Sequence, residues 1–159
     1  MKQSVKTGII FGITSGIITT LGLIVGLSSG SQMKSVVIGG ILIIAFSDAF
    51  SDAMGIFVAE EADKVNRKKD IWRAGLATFF AKFLVALSFV IPFLIFPLLR
   101  ATIISVVWGL GGLRILSQKV AEIHKQKHSR VVLEHIIVGI VVILITYFVG
   151  IGVSRIFGN

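Results

Sequence analysis

Apolar residues fall in five long blocks, separated by short polar ones. The blocks cover about residues 8–28, 36–59, 71–95, 98–117 and 131–157. About 20 apolar residues in helical conformation cross the hydrocarbon core of a bilayer. Each block therefore predicts a membrane-spanning helix, and the chain predicts an all-α integral membrane bundle in a single domain. The separators read as turns and loops: Ser28-Ser29-Gly30-Ser31-Gln32, the charged run Glu60–Asp70, and the basic stretch Lys119–Arg130. The apolar stretch from Ile71 to Gln118 is too long for one span. Pro92 and Pro97 punctuate it and predict a tight turn between a third and a fourth helix.

The first block is rich in small residues. Gly12-x-x-x-Gly16 and Gly22-x-x-x-Gly26 are spacings that let helix backbones approach closely. Ser15 and Thr19 share one face of that helix. The bland reading of the glycines is helix packing.

Composition agrees with this picture. Hydrophobic residues make up 55% of 159 residues and charged residues 15%, against roughly 25% charged in soluble domains. Mean hydropathy is +0.95. The absence of cysteine removes disulfides, thiolate metal sites and cysteine nucleophiles. A net charge of +8 would point to nucleic acid in a soluble protein. Here the basic residues sit between apolar blocks, where topology and anionic lipid account for them. No cleavable signal peptide is expected, because the first block lacks a clean small-residue cleavage site. Five spans would place the amino terminus and the loops after spans two and four on one side. That side would hold 12 of the 16 Lys and Arg residues, while the other holds Lys34, Arg100 and Arg155. The bias predicts a cytoplasmic amino terminus and an external carboxyl terminus, in what is expected to be a prokaryotic cell membrane.

Three ionisable residues lie deep in the apolar blocks: Asp48, Asp52 and Lys82. Asp48 and Asp52 belong to AFSDAFSDAMGIFVA, residues 45–59. On a helix they stand one turn apart on one face, with Ser51 and Gly55 beside them. A carboxylate in hydrocarbon is expensive, and such residues mark ion paths or proton relays. At 1.5 Å per residue, Asp52 and Ser15 both lie about 12 Å from the cytoplasmic end of their spans. Asp48 lies near ~18 Å and Lys82 near ~16 Å. This predicts two layers, Asp52 with Ser15 and Asp48 with Lys82. Lys82 has three readings: a structural ion pair with Asp48, a proton-coupled switch, or a side chain that snorkels to the interface. Two carboxylates with serine hydroxyls fit a hard cation, which makes Asp48, Asp52, Ser15 and Ser51 candidate metal ligands. They also fit a purely structural pair.

Weaker candidates lie at the cytoplasmic ends. Glu60, Glu61 and Asp63 could attract cations or balance neighbouring lysines. His124 and His128 are spaced i, i+4 beside Glu122 and could bind metal if that segment is helical; a solvated loop is the plainer reading. Glu134 is expected to cap the fifth span, with His135 at the interface. Met54 projects away from the aspartates. No phosphate loop, H-E-x-x-H or nucleophile elbow occurs, so no enzyme and no tightly bound cofactor are expected.

At this point the chain resembles the vacuolar iron transporter family. FGITSGIITTLGLIVGLSSG (residues 11–30) is similar to that family's first helix. The segment 45–59 aligns without gaps on its A-L-x-G-A-x-S-M-A-x-G-E-Y-x-S pattern. The Pro92/Pro97 turn and the closing RVVLEHIIVGIVVILITYFVGIGV match its hairpin and last helix. The resemblance implies five helices and a homodimer that moves Fe²⁺ or Mn²⁺ out of the cytosol in exchange for protons. The metal path would lie between protomers. Against that pattern, Ser15 stands where the family has an aspartate, Asp52 where it has a methionine, and Ile56 and Phe57 where it has glutamate and tyrosine. The cytoplasmic metal-binding insert is replaced by EEADKVNRKKD. Asp48 and Lys82 are additions, and more carboxylate with less thioether favours a harder ion such as Mn²⁺, or protons alone.

Overall fold

The computed structural model describes residues 3–62, 67–125 and 127–158, without the side chain of His124. Lys2, Asp63 and Lys64, which entered the charge reading above, lie outside the described residues. The described chain is helical: α1 (Gln3–Gly30), α2 (Lys34–Ala62), α3 (Lys68–Ser88), α4 (Val90–Ile95), α5 (Leu98–His124) and α6 (His128–Phe157). Counting α3 and α4 as one span, five helical segments among the described residues are long and apolar enough to cross a membrane. The bundle is that of an integral membrane protein. Large apolar side chains cover its outside, Ile43, Phe50, Leu84, Leu99 and Phe148 among them, as a protein solvated by lipid requires.

Most helices run past the apolar blocks. α1 covers Gln3–Gly30, so the serine-rich turn begins later than the sequence predicts. α5 continues to His124 and α6 begins at His128. Hydropathy marks where lipid ends, whereas a helix ends where its hydrogen-bond ladder is broken. Gln118, Lys119, Ala121 and Glu122 have good helix propensity and carry α5 onward. Lys125 then takes the left-handed conformation and closes it, with its N–H donating to the Ala121 and Glu122 carbonyls. The third span breaks at Phe89. Pro92 cannot donate to the carbonyl of Ser88, and its ring crowds that oxygen. Pro97 precedes α5, where its fixed φ of −63° suits the entry to a helix.

α1 is the most buried of the spans and α6 the least. α1 packs against α2, α3, α5 and α6. The core collects around it: Ile17, Leu21 and Ile24 of α1 meet Val37 and Ile41 of α2, Phe89 and Phe93 around the break, and Ala101 and Leu113 of α5. Two glycine faces permit this. Gly8, Gly12 and Gly16 lie against Ala74, Thr78 and Lys82 of α3, and Gly22, Gly26 and Gly30 lie against Val142, Thr146 and Gly150 of α6. Both pairs run parallel. α2 runs antiparallel to α3, with ring contacts Phe46–Phe83, Phe50–Phe79 and Phe57–Trp72 at 4.9, 4.6 and 5.0 Å.

A methyl added at Gly12 would come within 2.6 Å of the Thr78 backbone oxygen, while one at Gly55 meets nothing within 4 Å. Gly12→Ala is expected to lower stability by about 1–3 kcal/mol. Gly55→Ala meets nothing within the protomer and gains helix propensity, so it should leave the protomer at least as stable as wild type. Unfolding of the purified protein in detergent, followed by far-UV circular dichroism, measures both.

Candidate functional site

The three deep charges meet. Lys82 Nζ lies 2.5 Å from Asp52 Oδ2 and 2.5 Å from Asp48 Oδ2. It donates a hydrogen bond of 2.9 Å to Ser15 Oγ. The contact with Asp52 has hydrogen-bond geometry. That with Asp48 is an ion pair off the hydrogen-bond direction, and Asp48 Oδ2 is buried without another donor. The lysine side chain is 2% exposed, against 26% for Asp48 and 19% for Asp52. The ammonium is thus enclosed, while each carboxylate keeps part of its surface open.

Local structure explains the meeting. Asp48 and Asp52 are four residues apart on α2, one turn along one face. The glycine face of α1 lets α3 come close enough for the lysine stem to run along it: a methyl at Gly16 would stand 3.3 Å from Lys82 Cγ. That closeness also sets Ser15 over the ammonium. Phe46 and Phe50 of α2 and Phe79 and Phe83 of α3 form a ring seam at the same level as the charges. With all three groups ionised, two carboxylates and one ammonium leave one net negative charge. An ion pair in a dry interior is worth having only when its geometry is good; here one ammonium hydrogen-bonds Asp52 and Ser15 and faces Asp48 as a charge alone.

Several expectations change. The two-layer arrangement is replaced by one cluster, because the lysine head reaches both turns of α2. Lys82 does not snorkel; it is fully enclosed. Ser51 and Gly55 turn to the exposed side of α2, since the rotation that aims both aspartates at Lys82 carries these neighbours away from it. Met54 is exposed too. Glu60 and Glu61 occupy the last turn of α2, about 12 Å along the helix from Asp52, and do not join the cluster. His124 and His128 do not share a helix, because Lys125 ends α5 between them; the His124 side chain and Asp63 lie outside the described residues. His128 Nε2 stands 4.0 Å from Glu122 Oε1, both more than half exposed. Among the described residues, no group of three or more His, Cys, Asp and Glu side chains is placed to hold a metal. Glu134 is no cap: it sits in the second turn of α6 and pairs with Arg130 at 3.0 Å.

One polar contact escaped the sequence reading. Ser117 Oγ lies 2.6 Å from the Leu113 carbonyl and 2.7 Å from His135 Nδ1. The single hydroxyl proton goes to the carbonyl, so His135 Nδ1–H donates to Ser117 and ties α6 to α5. A serine eighteen residues from a histidine carries no periodic signal.

Comparison of the chain with protein-family models and with curated proteins gives no match. The resemblance described above therefore rests on its own motif residues.

Removing the ammonium leaves two acids facing each other across one turn. Lys82→Met is expected to cost about 3–5 kcal/mol, as for other broken buried pairs. The partial exposure of the acids favours the lower end. Asp48→Asn/Asp52→Asn/Lys82→Met, which removes all three charges, should recover much of the loss. Thermal unfolding in detergent of wild type and both variants checks this.

Proposed function

We propose that the protein is a membrane transporter that exports a divalent metal ion, Fe²⁺ or Mn²⁺, from the cytosol in exchange for protons. Asp48 and Asp52 are the groups that carry the ion. The observation behind this reading is a pair of carboxylates in the middle of a spanning helix, converging on a cation and still partly open. Acidic groups at such depth are costly unless a charge is held or passed there. All-oxygen donors favour a hard ion. The resemblance to the vacuolar iron transporter family supports the same cargo and exchange for protons.

The protein works as a homodimer in this reading, with α2 facing its partner. α2 presents Ser47, Ser51, Gly55 and Ala59 on its exposed side at every fourth residue, a spacing that admits close helix approach. A second copy there would also cover the open edges of Asp48 and Asp52. The amino terminus faces the cytoplasm, as the distribution of Lys and Arg favours.

A second reading follows from the enclosure of Lys82. The cluster would then be a structural lock in a membrane subunit that transports nothing. A third keeps the scaffold and gives it another solute, with the lysine and its two acids as the coupling charges.

Purified protein in proteoliposomes decides among them. Mn²⁺ or Fe²⁺ flux under an imposed pH gradient is expected in wild type. In Asp48→Asn/Asp52→Asn it should fall by more than about tenfold, the equivalent of ~1.4 kcal/mol. Equal flux in both would remove the aspartates from the path. No flux of either metal in wild type would leave the structural lock or another solute.

A further inference from the structure

Resting on the transport reading of Asp48 and Asp52, we propose that Lys82 is a tethered cation that occupies the cargo position in the vacant transporter and so excludes monovalent ions. The ammonium stands where a cation bound by both carboxylates would stand, 2.5 Å from an oxygen of each. A third oxygen, from Ser15, completes its contacts at 2.9 Å. The side chain is 2% exposed, with Gly16 against Cγ and the three oxygens around its head.

Such a cation is present at high effective concentration. Even flexible short tethers reach roughly the millimolar range, and this stem is packed rather than flexible. Na⁺ or K⁺ brings the same charge as the ammonium, so it gains no Coulomb energy by replacing it, yet it must shed water to enter. A divalent ion must shed water too, but it doubles the attraction to each carboxylate at equal distance, and that gain is what moves the ammonium, charge intact, off the carboxylates.

The cluster also has a weaker side. Asp48 is the more exposed acid, and its contact with Nζ lacks hydrogen-bond geometry. The contact with Asp48 is therefore the first to give way to a competing ion, and Asp52 and Ser15 hold the ammonium until the ion is seated. Lys82 thus sets which charge class is carried. Ser15 is a positioning residue that acts through the ammonium, rather than a ligand of the metal.

Mn²⁺ binding to the purified full-length protein in detergent tests this, read by the free-ion EPR signal and by the shift of the unfolding midpoint. Lys82→Gln is expected to bind Mn²⁺ at least about tenfold more tightly than wild type, and a large excess of Na⁺ should now compete. Lys82→Arg should keep the weak binding of wild type. Ser15→Ala retains all three charges and should bind Mn²⁺ more tightly, by a smaller factor. It decides the matter alone if Lys82→Gln does not fold.

Unchanged or weaker binding in Lys82→Gln overturns the proposal. So does weaker binding in Ser15→Ala, which would make the serine a metal ligand. Flux separates this from the transport reading. Wild-type Mn²⁺ flux with no gain in affinity in the variants removes the role of Lys82 and leaves transport standing. A gain in affinity without wild-type flux keeps the tethered cation and removes transport. If no form of the protein binds Mn²⁺, the proposal is overturned.

Discussion

An ammonium buried in an apolar bundle has few places to be. It needs acceptors for its protons and opposite charge within a few ångströms, and a bilayer supplies neither in its core. In this protein those needs are met by Asp48, Asp52 and Ser15, one helix turn of α2 and one hydroxyl of α1. The effective penalty of burying each ion is several kcal/mol. The three helices that bring the groups together must therefore hold their relative rotation and depth closely. A turn of α2 by one residue would carry both aspartates away and bring Ser47 and Ser51, or Ala49 and Ala53, in their place.

The glycine faces of α1 are the means by which that precision is reached. Lipid tails are as apolar as leucine, so helices in a membrane gain little from hiding apolar surface and much from close contact. Gly8, Gly12 and Gly16 bring α3 against α1, and the lysine stem lies in the space they leave. At Gly150 of α6 even a methyl would overlap Ser29 and the Gly26 carbonyl, so α6 is as close as α3. The break at Phe89 completes the arrangement, since it turns Phe89 and Phe93 into the core beside α1 and α5.

Much of this was legible in the sequence, for a clear reason. Five apolar blocks are a property of composition, and lipid solvates composition. The three deep charges stood out because their neighbours are apolar. What could not be read was rotation. Four-residue spacing puts Asp48 and Asp52 on one face, but nothing local says whether Ser15 or Ser51 faces the same partner. The choice is made by α1–α3 contact between residues far apart in sequence. The helix ends at His124 and His128 lie beyond the apolar blocks, because hydropathy records lipid rather than hydrogen bonding. Only part of the glycine face has a legible spacing: Gly12 and Gly16 form one pair, while Gly8 lies at the edge of the apolar block and Gly30 in the polar stretch that reads as a turn. The Phe46–Phe83 and Phe50–Phe79 contacts join two helices running in opposite directions, a register that no single segment encodes.

All members of the charged cluster come from α1, α2 and α3, whereas the second glycine face of α1 must wait for α6. In chain order the two acids of α2 precede their counter-charge, and only α3 supplies the ammonium that pairs with them. With α3 in place the first half of the chain holds every partner of the cluster. The helices that follow can be inserted around a finished nucleus, with the last of them sealing the far end of α1.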